Sequence, residues 1–119
     1  MNLLLIAIGG GFGALGRYLI GKVLNKEKHR FPLGTWVVNT VGTLLLASTY
    51  ILYNHGTFHE AIWALVGIGF CGAFTTFSTF SQETVSYLLE HEHPRAFLYV
   101  GLSVASSLLI AYTVLAIWL

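Results

Sequence analysis

The chain has 119 residues, of which 55% are hydrophobic and only 9% charged, with a formal net charge of +1. Soluble domains carry about 25% charged residues, so the composition excludes an ordinary soluble fold, and no nucleic-acid partner is expected. Charge-free windows run from Met1 to Gly16, Phe31 to His59, Ala61 to Gln82 and Ala96 to Leu119. A bilayer core of ~30 Å takes ~20 helical residues, so the windows predict four membrane spans in a single all-α domain covering residues 1–119.

The first span, about residues 3–24, is rich in glycine (Gly9, Gly10, Gly11, Gly13, Gly16 and Gly21). Small residues four apart, Ala7 with Gly11 and Gly9 with Gly13, let another helix come close. The segment has no basic leader and no cleavage site of the secretory kind, so a cleaved signal peptide is not expected. A short basic loop, Asn25 to Arg30, leads to Pro32 and the second span, about 32–53, which ends at the turn signal Asn54-His55-Gly56. The third span, about 61–90, reads as an interrupted helix with its break near 72–76. Residues His91 to Arg95, with Pro94, read as the last loop, and the fourth span covers about 96–119. Cys71 is the sole cysteine and reads as a small buried apolar side chain. Trp36, Trp63 and Trp118 read as interface anchors, and His55 with His59 lacks a clear third metal ligand.

With four spans, Lys22, Lys26, Lys28, Arg30 and Arg95 fall on one side, and the other side has no Lys or Arg. That bias puts the basic loops in the cytoplasm and both termini outside, in a multi-pass protein of the cell membrane. Arg17 lies within the first span. It either snorkels to the interface or helps form a positive vestibule that concentrates anions. Glu83, one turn past Phe80, is placed in an aqueous vestibule.

The least lipid-like segment is residues 72–81, Gly-Ala-Phe-Thr-Thr-Phe-Ser-Thr-Phe-Ser. Unpartnered hydroxyls are costly in hydrocarbon, so this run implies protein packing, a broken helix or a passage for something polar. Two further polar stripes have helical spacing: Thr35, Asn39 and Thr43 on span two, and Tyr99, Ser103 and Ser107 on span four. Any one hydroxyl reads most simply as interhelical glue. Taken together with Phe77 and Phe80, the tracks read as a route lined by neutral donors. Hydroxyls and the amide donate hydrogen bonds, and aromatic ring edges carry partial positive charge. The route therefore suits a small, strongly hydrogen-bonding anion, fluoride or hydroxide more than chloride.

Residues 9–18 (G-G-G-F-G-A-L-G-R-Y), 34–39 (G-T-W-V-V-N) and 69–81 (G-F-C-G-A-F-T-T-F-S-T-F-S), with the spacing of Tyr99, Ser103 and Ser107, resemble the Fluc/CrcB family of fluoride channels over the whole chain. The resemblance implies a passive channel, not an enzyme, that exports fluoride from the cytoplasm and relieves its toxicity. It implies an antiparallel dimer in the lipid bilayer with two pores. Phe77 and Phe80 would meet fluoride through their ring edges, Asn39 would be the amide donor with Thr35 a further contact, and Tyr99, Ser103 and Ser107 would form the polar track. It also implies a structural sodium ion, bound by the backbone carbonyls of Gly72 and Thr75 and shared across the dimer. A homodimer is the favoured assembly because both pore-lining sets are complete in one chain. The charge bias makes an oppositely oriented homologue the second candidate partner.

Three alternatives compete. A small proton-coupled multidrug exporter needs a carboxylate within the membrane, whereas Glu27, Glu60, Glu83, Glu90 and Glu92 sit at or near span ends. A non-transporting assembly subunit leaves the Phe and hydroxyl run without a purpose. An intramembrane enzyme lacks a nucleophile–base pair at depth.

Overall fold

The structure, a computed structural model, describes residues 2–25 and 31–118. Lys26, Lys28 and Arg30, three of the five cations behind the expected orientation, lie outside the described residues. The described residues are helices and short connections, with no strand among them. α1 covers Asn2–Leu24 and α2 covers Leu33–Asn54. Next come α3 (Glu60–Ile62), a π-helical stretch (Trp63–Cys71) and α4 (Gly72–Phe74). α5 (Ser78–Leu89) and α6 (His93–Trp118) complete the chain.

Four helical segments are long and apolar enough to cross a membrane: Asn2–Leu24, Leu33–Asn54, Glu60–Leu89 and His93–Trp118. They form a flattened bundle of 49 × 31 × 19 Å, longer than the ~30 Å hydrocarbon core. Large apolar side chains such as Leu3, Phe12, Leu89, Phe97 and Leu108 point outward, while the buried core is a thin line of Val38, Ile51, Ala64, Cys71, Phe74 and Tyr99. Such an exterior is stable only against lipid or another protein.

α1 runs along the π-helical stretch and α4, and α2 lies between that pair and α6. The closeness of α1 is a property of its glycines. A Cβ on Gly9 would overlap the Leu65 carbonyl, and one on Gly13 the Phe70 carbonyl. Lipid tails provide no hydrophobic drive for helix association, so backbone-to-backbone packing of this kind supplies much of the attraction.

Two connections carry the remaining order. Pro32 cannot cap α2, and the Asn25 side chain at the end of α1 does so instead, accepting the Gly34 N–H through Oδ1 at 2.7 Å. His93 to Arg95, expected in a loop, form the first turn of α6, where the Ala96 N–H already bonds the Glu92 carbonyl at 3.0 Å. Pro94 fits there because early helical positions need no N–H partner.

Candidate functional site

The third span is where the backbone departs from helix. α4 ends at Phe74, Thr75 is extended with φ −82° and ψ 157°, and helix resumes at Ser78. In an unbroken helix the Thr76 N–H would bond the Gly72 carbonyl, and the Phe77 N–H the Ala73 carbonyl. Instead the Thr76 N–H donates to Asn39 Oδ1 at 2.8 Å, and Asn39 Nδ2 donates back to the Thr76 carbonyl at 3.0 Å. The Ala73 carbonyl accepts Arg17 Nε–H at 2.9 Å. Side chains from α1 and α2 thus stand in for two ladder bonds, and the Gly72 carbonyl is left without its helical donor.

Local side chains complete the connection. The Thr75 hydroxyl donates to the Cys71 carbonyl at 2.9 Å. Its methyl occupies the space that a Cβ on Gly42 would need, so α2 approaches the connection only because residue 42 is glycine. The Thr76 hydroxyl accepts the Thr79 N–H at 3.2 Å and opens α5.

Beside this connection lies a groove of about 400 Å³. Asn39 and Thr43 line it from α2, Thr75, Thr76, Phe77 and Phe80 from the third span, and Ser103 and Ser107 from α6. Leu46, Val104 and Leu108 complete the wall, and among the described residues no carboxylate lines it. The donors differ in what they have left to give. Asn39 spends one of its two amide hydrogens on Thr76 and keeps the other. Thr43 spends its hydroxyl hydrogen on the Asn39 carbonyl at 2.7 Å. Ser103 Oγ is buried and has no partner among the described residues. The rings of Phe77 and Phe80 are tilted at 43° with centroids 6.1 Å apart. Phe77 is 78% exposed and projects from the bundle.

The expected pore residues divide into two groups. Asn39, Phe77, Phe80, Ser103 and Ser107 share the groove, whereas Tyr99 and Thr35 are 0% and 3% exposed and lie behind it. Tyr99 packs 5.1 Å from Phe80 and edge-on to Phe31 at 5.3 Å. Its hydroxyl donates to Glu83 Oε1 at 2.9 Å, and the Glu83 carboxyl also meets the Thr35 hydroxyl. Glu83 is half-buried and accepts the Tyr99 hydroxyl.

On the other side of the connection is a crevice of about 480 Å³, lined by Arg17, Tyr18, Lys22, Asn25, Thr35, Thr76 and Thr79 among others. Among the described residues it contains two cations and no acid. Thr76 lines both crevice and groove, so the cationic space and the donor-lined space meet at the non-helical connection. Sequence reasoning missed the clamp made by Arg17 on Ala73. It also missed the bond that Trp36, expected at the membrane interface, makes by donating its indole N–H to Ser106 Oγ on α6 at 3.1 Å.

Four spans long and apolar enough to cross a membrane, three of which line a polar groove, define a small multi-pass membrane protein. The chain belongs to the CrcB family: the family model described as "CrcB-like protein, Camphor Resistance (CrcB)" matches residues 4–115. It is 44% identical over 114 residues to the "Fluoride-specific ion channel FluC 1" of Halalkalibacterium halodurans, covering 91% of this chain and 90% of that one. It is 43% identical over 116 residues to the "Fluoride-specific ion channel FluC" of Pyrococcus abyssi, covering 94% of each. It is 41% identical over 116 residues to the "Fluoride-specific ion channel FluC 1" of Yersinia pseudotuberculosis, covering 97% of this chain and 90% of the relative.

Proposed function

We propose that this protein is a passive fluoride channel that lets the ion leave the cytoplasm. The observation that carries this reading is the groove, free of acids among the described residues, in which an amide N–H, two serine hydroxyls and two aromatic rings converge and which shares Thr76 with an arginine- and lysine-lined crevice. Cations in the crevice raise the local anion concentration. The Asn39 amide, the Ser103 and Ser107 hydroxyls and the Phe77 and Phe80 ring edges replace water around a small anion. Thr35, Tyr99 and Glu83 form a polar cluster behind Phe80, in which Thr35 meets the route from the crevice and Tyr99 backs the Phe80 ring. Fluoride, as opposed to another small anion, is drawn from the names of the relatives. Nothing in the family or its relatives supports the exporter alternative. Fluoride efflux from liposomes holding the purified protein, with chloride as the control, tests the reading. Efflux no faster than from protein-free liposomes overturns it.

The assembly we infer is an antiparallel homodimer. The groove is open on one side and Phe77 stands exposed at its edge, so a second subunit is needed to close it from lipid. The interruption of the third span then has a purpose. It leaves the main-chain carbonyls of Gly72 and Thr75 available, and uncharged oxygen donors of this kind fit a hard monovalent cation such as sodium. The Gly72 and Thr75 carbonyls would hold such an ion, which would offset their dipoles with a fixed positive charge. Thiol labelling of cysteines placed at both termini in intact cells tests the arrangement. Labelling from both sides supports the homodimer, and exclusively external labelling requires an oppositely oriented homologue.

A further inference from the structure

Trp36 and Ser106 are used by neither the groove nor the clamps on the third span. Trp36 is half-buried on α2, one turn before Asn39, and Ser106 lies on α6 between Ser103 and Ser107. The Trp36 Nε1–H donates to Ser106 Oγ at 3.1 Å, and the Ser106 hydroxyl donates in turn to the Leu102 carbonyl of its own helix. That back-bond directs the hydroxyl hydrogen along α6 and leaves a lone pair fixed toward the indole. A serine free to rotate would make a poorer reference point.

The physical need is clear. α2 and α6 carry the two walls whose donors must face each other. Apolar packing in lipid is non-directional, and a slide along the helix axis of one residue is only ~1.5 Å. A hydrogen bond between side chains has a fixed length and angle, and a buried indole N–H without an acceptor is costly. We propose that Trp36 is a positioning residue: by bonding Ser106 it fixes the register of α2 against α6 and so keeps Asn39 and Thr43 opposite Ser103 and Ser107. The proposal rests on the channel reading for its consequence in transport, but the register itself can be read without transport.

The test uses the full chain in liposomes. Cysteines replace Thr43 and Ser107, with Cys71→Ala as background, and a short bifunctional thiol reagent reports how the two walls face each other. Adding Trp36→Phe, which keeps the ring bulk and loses the donor, is expected to slow cross-linking several-fold, as is adding Ser106→Ala. Ser106→Thr, which keeps the acceptor, is expected to preserve the original rate. In the otherwise unmodified protein, Trp36→Phe and Ser106→Ala each lower fluoride efflux about tenfold, the scale of one lost hydrogen bond. The two substitutions together cost no more than the worse of them alone, and Ser106→Thr retains efflux. Unchanged cross-linking in Trp36→Phe overturns the pin whatever the transport result. Slowed cross-linking with wild-type fluoride efflux overturns its role in transport. Absence of fluoride efflux from the unsubstituted protein overturns the channel reading, with the cross-linking still deciding the register.

Discussion

Replacing Asn39 with Asp separates the two jobs of this side chain. The carboxylate still accepts the Thr76 N–H, now at 2.8 Å from a charged oxygen, and charge-assisted bonds of this kind are the stronger ones. The donor to the Thr76 carbonyl is lost, at about 1 kcal/mol, so the fold is expected to survive. The groove, however, gains a full negative charge. Against an anion ~4 Å away, at an effective dielectric of about 20, the repulsion is about 4 kcal/mol. Every 1.4 kcal/mol is a factor of ten, so efflux should fall about a thousandfold. Asn39→Leu provides the opposite split. It leaves both Thr76 backbone groups unpaired, costing more stability than Asp, but adds no charge, so its efflux should fall less than in Asn39→Asp. The assay is fluoride efflux from liposomes, paired with thermal melting of the same preparations. An Asp variant that folds normally and passes fluoride within tenfold of the unsubstituted chain would refute the placement of Asn39 beside the anion.

Phe77→Ile and Phe80→Ile keep bulk but lose the partly positive ring edge. Each should slow fluoride efflux while gel filtration remains unchanged, and wild-type efflux in both would remove the aromatic contact from the argument. Arg17→Gln should lower the midpoint of thermal unfolding, because the Ala73 carbonyl loses a charged donor of the class worth ~1.5–3 kcal/mol. It should also lower efflux by removing one of the two crevice cations, and added salt should shrink the efflux difference by screening the exposed part of that field. His91 closes α5 with φ 59°, its N–H bonded to the Leu88 carbonyl at 3.2 Å and the Glu92 N–H to the Tyr87 carbonyl at 2.8 Å. The equivalent position after α2 is Gly56, with φ 79°. His91→Gly should therefore raise stability by about 1 kcal/mol, read as a higher unfolding midpoint with unchanged efflux.

How much of this was legible in the sequence depends on whether the signal was local. The spans were legible because hydrocarbon thickness sets a length: α1 covers Asn2–Leu24 and α2 Leu33–Asn54, against expected spans of about 3–24 and 32–53. The Asn39 and Ser103–Ser107 stripes were legible because helical spacing alone puts them on one face. The split of Tyr99 and Thr35 from the groove was not, since it depends on the rotation of α6 and α2 about their axes. A stripe shared by Tyr99, Ser103 and Ser107 does not say which member turns inward toward Glu83. The Trp36 bond was hidden for a related reason: its partner Ser106 lies on α6, and sequence spacing does not say which helices adjoin. The Arg17 clamp left a fainter trace. An arginine inside an apolar helix must find acceptors, and a helix that stops within the membrane must find donors for its last carbonyls. Each need is readable by itself, in Arg17 on one span and in the Gly72–Thr76 run on another. That the two satisfy each other follows only once the α1 glycines are seen to bring the backbones together, so the same small residues that read as packing also position the charge.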